Sequence, residues 1–116
     1  MKKIIKIPIY FGRLHIVQEE TLNIIGQKYD IEASDCAAFA HKISKENKMT
    51  QYLMAFTYNC TPTMIAHEAL HVVGMIYKDR GIEFNKYNDE NQCYLLGWIV
   101  GKCFENLKIN PKDVLL

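Results

Sequence analysis

The sequence lacks the features that mark several large classes of protein. Its 116 residues carry a net charge of only +1, which gives no electrostatic reason to expect nucleic acid or an anionic membrane as a partner. No linker-like stretch divides the chain, so we expect one domain spanning residues 1–116. The apolar run that begins at Ile4 is broken by Lys6 and Pro8, far short of a signal peptide. These absences predict a cytoplasmic protein without a membrane span.

The spacing of the cysteines matches no common disulfide or zinc-binding pattern. No two of the four cysteines form a CxxC pair, and all four lie in apolar, regular-looking segments. This pattern favours buried thiols over a disulfide framework or a zinc knuckle. The four residues are Cys36, Cys60, Cys93 and Cys103.

Alternating apolar residues predict four strands in the first half of the chain. In the first of them, Ile5, Ile7 and Ile9 share one face. A short amphipathic helix separates the second strand from the third, and a charged connection at residues 44–48 joins the third to the fourth. The predicted strands are residues 3–10, Leu14–Val17, Cys36–Ile43 and Tyr52–Tyr58; the predicted helix is Gln18–Tyr29, and 30–35 is predicted as loop.

A long helix is predicted after the fourth strand. Thr61 can cap its amino terminus, and Pro62 suits the first helical position because its missing N–H has no helical partner there. The helix should run to about Arg80, with Gly81 as its C-cap.

A final helix should begin at Asn88 or Asp89 and extend to about Leu107, before Asn110 and Pro111 end regular structure. Strands followed by two long helices indicate an α+β domain with a small, mostly antiparallel sheet of about four strands.

The first long helix contains an HExxH motif, formed by His67, Glu68 and His71. Residues four apart lie on one face of a helix, so both imidazoles can point at one metal ion. Glu68, next to the first histidine, can reach a water bound to that ion. In a chain with four His and eight Glu, chance produces this motif about once per hundred sequences, so its context matters.

The last helix supplies a candidate for a third metal ligand. Catalytic zinc usually has three protein ligands and one open position. Glu90 lies in the first turn of this helix and would complete a His₂Glu set with His67 and His71. Asp89 and backbone carbonyls are the candidates for holding the second ring nitrogen of a ligand histidine.

Three glycines suggest how the two helices could meet. Gly74 lies on the His71 side of its helix, and Gly97 and Gly101 lie on the Glu90 side of theirs. A glycine inside a helix costs about 1 kcal/mol relative to alanine, which suggests a packing reason. Close crossing along these faces would bring Glu90 toward the histidines; the alternative is that they are incidental small residues in a tight core.

Residues 61–71, followed by residues 88–98, resemble the gluzincin type of zincin metallopeptidase. More closely, the chain is similar to small zincin-like proteins encoded by tailed phages and prophages, and residues 7–10 share that likeness. The resemblance covers roughly residues 57–101.

This resemblance implies a minimal zincin-like domain with Zn²⁺ held by His67, His71 and Glu90. It also implies that Glu68 is the catalytic base and that an extended peptide substrate lies along an edge strand formed by Tyr52–Tyr58. In this chemistry zinc lowers the pKa of its water to roughly 7, and the glutamate accepts the proton as the water attacks a carbonyl.

The chain departs from the larger gluzincins in two respects. Some of them have an aspartate four residues after the ligand glutamate, where this chain has Tyr94. They also form the cleft with a second domain, which we do not expect within these 116 residues. Tyr94, one turn beyond Glu90, is the first candidate for an oxyanion donor, with Tyr87 and Arg80 behind it. The alternative for Tyr94 is an aromatic that covers the site.

The leading hypothesis is therefore a zinc-dependent hydrolase, most simply a peptidase acting on a peptide or protein. A second hypothesis is a non-catalytic zinc-binding interaction or regulatory module, with a phage or host protein partner or a second copy of the chain. A third is an amphipathic helix that binds no metal. His15 and His41 have no ligand partners at a readable spacing and are interpreted as ordinary strand histidines.

Overall fold

Four strands and three helices make up the computed structural model of the protein, which describes residues 1–33, 37–43 and 50–111. The predictions for Cys36 and for residues 44–48 lie outside the described residues. None of the helices in the described ranges is both long and apolar enough to cross a membrane. The elements are β1 (Lys2–Lys6), β2 (Arg13–Gln18), α1 (Leu22–Tyr29), β3 (Ala38–Lys42), β4 (Gln51–Phe56), α2 (Pro62–Asp79) and α3 (Glu90–Asn106).

The sheet has the order β1-β2-β4-β3 and is mixed. The two outer pairs are antiparallel, as expected, but β2 and β4 are parallel, with Leu14 opposite Tyr52 and Ile16 opposite Met54. The chain leaves β2 through α1, forms β3 at the edge and returns to insert β4 in the middle. A parallel pair needs such a crossover connection, which the strand alternation alone does not reveal.

The two faces of the sheet carry separate apolar clusters. Helices α2 and α3 cover the larger one, where five side chains of the central strands are completely buried. Helix α1 covers the smaller cluster on the opposite face. The five are Leu14, Ile16, Tyr52, Met54 and Phe56; the smaller cluster contains Val17, Leu22, Ile25, Leu53 and Ala55.

The predicted beginning of α2 is confirmed. The Thr61 hydroxyl accepts a hydrogen bond from the Met64 N–H at 3.3 Å, and Pro62 is the first helical residue. The helix ends at Asp79 with Arg80 as C-cap, and Gly81 follows with φ +67°. The predicted cap is therefore displaced by one residue, and glycine takes the left-handed position after it.

Helix α2 is fastened to the sheet at its carboxyl end. Asp79 accepts hydrogen bonds from the Tyr52 hydroxyl at 2.6 Å and from Lys42 Nζ at 2.8 Å. Burial raises the pKa of Asp79, but these bonds outweigh burial and hold it below its usual range. Arg80 donates to the backbone carbonyl of Tyr10. These contacts fix the helix against β3, β4 and the loop after β1.

β1 and α1 are shorter than predicted, and β2, at Arg13–Gln18, is longer than the predicted Leu14–Val17. β1 ends at Lys6, and Ile9 is exposed with φ +68°, so it does not share a buried strand face with Ile5 and Ile7. Gln18 belongs to β2 rather than to the helix, because it pairs with Phe56 of β4. Its side chain also bonds the Thr57 carbonyl and the backbone of residue 108. α1 begins at Leu22.

The cysteine prediction is only partly confirmed. Cys60 and Cys103 are buried, and burial raises the pKa of Cys103 to about 12. Cys93 is exposed. The buried stripe of α3 contains Leu95, Ile99 and Cys103. Cys93 is two positions before Leu95 and therefore points about 200° away from this stripe.

The expected role of the three helix glycines is wrong. A methyl group added at Gly74, Gly97 or Gly101 would meet no atom within 4 Å among the described residues, so none of them permits a close helix crossing. The glycine that has no room for a side chain is Gly26 in α1, where an added methyl carbon would lie 2.5 Å from the Ile31 carbonyl oxygen.

We expect Gly74→Ala to raise the free energy of unfolding by about 0.5–1 kcal/mol, because alanine fills open space and restricts the unfolded chain. Gly26→Ala should lower it by about 1–3 kcal/mol through overpacking. Urea denaturation of the two variants measures both effects. Destabilisation by Gly74→Ala would mean that α2 and α3 approach more closely than described.

His15 differs from the ordinary strand histidine expected from the sequence, because it is buried and both of its ring nitrogens are hydrogen-bonded. It is 6% exposed; its Nδ1 lies 2.8 Å from the Tyr29 hydroxyl, and its Nε2 lies 2.6 Å from Gln51 Oε1. Burial lowers the pKa of His15 from 6.5, opposed by the Gln51 bond and assisted by Lys2 and Arg13. The neutral ring thus joins β2, β4 and the end of α1.

His15 should make the protein less stable in mild acid. Its pKa is lower in the folded state than in the unfolded chain, so its contribution is complete above about pH 6.5 and declines as the pH falls below that value. We expect His15→Gln to flatten the decline in unfolding free energy between about pH 7 and 5, measured by urea denaturation at several pH values. The exposed His41→Gln should retain the wild-type slope; equal slopes in both variants would contradict the assignment.

Candidate metal centre

His67, Glu68 and His71 lie together on α2. They are the one group of three or more His, Cys, Asp or Glu side chains able to hold a metal ion within residues 1–33, 37–43 and 50–111. Their candidate ligand atoms all lie within 4.8 Å of one another. The two histidine Nε2 atoms are 3.2 Å apart, and Glu68 Oε1 is 3.8 Å from His67 Nε2.

The packing of α2 decides which of these side chains is buried. Ile65, Ala69, Val72 and Ile76 repeat at helical spacing and are completely buried against the sheet. Glu68 lies at the margin of this stripe, and its side chain is 8% exposed. His67 lies on the outer side of the helix, where its side chain is 69% exposed. The motif therefore spans the boundary between core and solvent.

Glu68 has an unusual environment for a carboxylate. Its Oε2 atom is buried and accepts no hydrogen bond from any part of the chain that the structure describes. Burying a polar atom without a partner costs free energy, and such atoms are rare in native proteins. Glu68 therefore lies beside the two histidines with part of its hydrogen-bonding capacity unused by the described residues.

The two histidines fit a tetrahedral zinc ion. Zinc bound at about 2.0–2.1 Å to two imidazole nitrogens in tetrahedral geometry holds them about 3.3–3.4 Å apart. The observed separation of 3.2 Å between the Nε2 atoms is close to this value. The donor set is also suitable, since neutral imidazole is a common zinc ligand.

Glu90 is outside this cluster. It is the first residue of α3, with its side chain exposed, and it is not a member of the three-residue group. Leu70, about 100° around α2 from His71, lines a hollow with Gln92 and residues 83–87. The start of α3 therefore lies on the Leu70 side of α2, and the structure does not bring Glu90 to the histidines.

The other predicted site residues are also dispersed. Tyr94 is 74% exposed and lines a different hollow, with Ile9, Tyr10 and Trp98. Tyr87 is 86% exposed in the connection between α2 and α3. Arg80 donates a hydrogen bond to the backbone of the loop after β1. Asp89 precedes α3, and its side chain makes no capping hydrogen bond.

A small hollow adjoins Glu68 on the side of β3. Its volume is about 240 Å³, and it is lined by Ala37, Ala38, Thr63 and Met64 together with His67 and Glu68. The two alanines were not predicted as site residues. The sequence feature that could have indicated them is the run of small residues in the predicted third strand. Its role follows only from the position of α2 beside that strand.

The strand beside the metal centre is β3, not β4. β4 lies between β2 and β3, so the expectation that Tyr52–Tyr58 forms the sheet edge is wrong. The side chains of Tyr52 and Phe56 are completely buried, as is normal for an interior strand. β3 lies at the edge of the described sheet and contributes Ala38 to the hollow.

Comparison of the chain with known protein families, curated proteins and solved structures gave no match. Its description therefore rests on the structure, which is an α+β domain with a four-stranded mixed sheet, three helices and a His-Glu-His cluster on α2.

Zinc should bind this cluster with one-to-one stoichiometry. We expect His67→Ala and His71→Ala each to weaken zinc binding at least about tenfold, because either change leaves a single imidazole. Isothermal titration of the full chain with zinc chloride measures the affinity, and the exposed His41→Ala serves as the control. Binding that is unaffected by both changes in α2 would place the ion elsewhere.

Proposed function

We propose that the protein is a zinc-dependent hydrolase, most simply a peptidase, of the gluzincin type. The observation that carries the proposal is the combination of two histidine nitrogens 3.2 Å apart with a buried carboxylate oxygen that has no partner among the described residues. A structural zinc site would not need that carboxylate. A hydrolytic site needs a base beside the metal.

Bound zinc would polarise a substrate carbonyl and lower the pKa of a water molecule beside it. Glu68 is the proposed general base. Its Oε1 atom lies 3.8 Å from His67 Nε2 and Glu68 lines the hollow beside β3, so a water molecule between the two is the proposed proton donor. The same carboxyl group would then protonate the leaving amine. Its burial excludes bulk water, which strengthens its interaction with a charged partner.

Glu90 remains the proposed third zinc ligand. Its approach requires a shift of the first turn of α3, since Glu90 is outside the cluster in the described structure. The ten residues 80–89 that connect the two helices contain no regular helix or strand, which makes such a shift feasible. Glu90→Gln, with exposed Glu83→Gln as control, tests this role in the same zinc titration.

The proposed substrate is an extended peptide at the edge formed by β3. Edge strands recognise peptides by adding a strand to the sheet, and β3 is the strand whose first residue lines the hollow beside Glu68. A peptide in this position would pass over the metal centre. This proposal replaces the expectation that β4 forms that edge.

A non-catalytic zinc-binding module is the second candidate. The observation that favours it is the exposure of His67, which is 69% and leaves the metal centre on an open surface. In such a module a partner protein or a second copy of the chain would supply the remaining ligands. This candidate predicts zinc binding without hydrolysis.

Glu68→Gln separates the two candidates. For a hydrolase we expect hydrolysis of fluorescent casein or fluorogenic peptides to fall by about 10²–10⁴-fold, because glutamine cannot accept a proton. Zinc affinity should stay close to that of the parent, since the histidines are unchanged. Initial rates and zinc titration of the same preparation give both quantities.

The control for this variant is Glu105→Gln, which changes an exposed carboxylate on α3 that pairs with Lys102. It should leave the rate unchanged. If the parent and Glu68→Gln cleave the same substrates at equal rates, Glu68 is not the base. Zinc binding without hydrolysis of either substrate class would favour the non-catalytic module.

A further inference from the structure

The side chains that face α2 differ in size from strand to strand. The central strands present Leu14, Ile16, Met54 and other large residues, all completely buried. β3 presents Ala38 and Ala40, which lie opposite Phe56 and Met54 of β4, and then Lys42, whose ammonium group reaches Asp79 at the end of α2. The layer between sheet and helix is therefore short of side-chain volume at β3, and this deficit is the origin of the hollow.

The hollow is sized for one side chain. Its volume of about 240 Å³ is below the range of about 300–1,000 Å³ typical of sites for whole small molecules. Methyl groups and the Met64 thioether supply its apolar wall, and Glu68 lines the side next to His67. A ligand that fills it is thus mainly aliphatic.

We propose that this hollow binds one aliphatic side chain, of the size of leucine, from a peptide substrate, and that Ala38 and Met64 determine which side chain is accepted. This inference rests on the proposed peptidase function and names its substrate class. Among the described residues that line the hollow there is no lysine or arginine to recruit an acidic side chain, and the one acidic residue there, Glu68, is committed to the reacting water. A basic side chain would pair with Glu68 and remove the base.

The test compares two capped tripeptides, N-acetyl-Ala-Leu-Ala-amide and N-acetyl-Ala-Gly-Ala-amide, on the full chain labelled with ¹³C in its alanine methyl groups. The leucine peptide should shift the Ala37 and Ala38 methyl resonances in a saturable manner, and the glycine peptide should not. Ala38→Leu fills the hollow and should abolish the response at Ala37. Ala66→Leu, an exposed change on α2 outside the hollow, should preserve it.

Hydrolysis gives an independent measurement. We expect kcat/KM to favour leucine over glycine peptides by about tenfold or more, and Ala38→Leu to reduce this ratio to within about twofold. Met64→Ala enlarges the hollow and should move the preference toward phenylalanine, so the inference can be tested even if Ala38→Leu does not fold.

The outcomes separate the two proposals. Methyl shifts specific to the leucine peptide, lost in Ala38→Leu and kept in Ala66→Leu, support the pocket even if no peptide is cleaved, in which case the hydrolase proposal alone fails. Hydrolysis that depends on Glu68 but shows the same rate for leucine and glycine peptides overturns the pocket and leaves the hydrolase. Equal methyl responses to both peptides, or equal behaviour of Ala38→Leu and Ala66→Leu, also overturn it.

Discussion

The candidate site depends on which face of helix α2 packs against the sheet. Burial of Ile65, Ala69, Val72 and Ile76 removes a large apolar area from water and leaves the helix one orientation. That orientation puts the two histidines on the outer side and Glu68 at the margin of the core. The hydrogen bonds that Asp79 accepts from Tyr52 and Lys42 hold the helix in this orientation.

The same constraint explains why the site is divided between solvent and core. The histidines are accessible to a metal ion, whereas Glu68 is removed from bulk water and faces the small hollow beside β3. Ala38 on β3 and Ala37 just before it line this space, whereas the neighbouring strands carry large side chains. Metal binding and the proposed acceptance of a substrate side chain thus arise from a single packing arrangement between α2 and an edge strand.

The helix α3 contributes to the core more than to the metal centre. Its buried stripe of Leu95, Ile99 and Cys103 packs into the larger apolar cluster, and its beginning lies on the Leu70 side of α2. Glu90, Tyr94 and Asp89 were predicted from one-dimensional spacing, which fixes the order of groups along a helix but not the side on which the next helix packs. Their roles at the metal centre remain predictions.

The sequence by itself determined the features that depend on neighbouring residues: the α+β class, the start of α2 at Thr61 and Pro62, and the approach of His67 to His71, since residues four apart in a helix share a face. Only the tertiary structure decided that β4 is interior, that the helix glycines face open space and that Ala38 lies beside Glu68. These features depend on strand order and helix packing, which join residues far apart in the chain, and a local pattern carries no information about such neighbours.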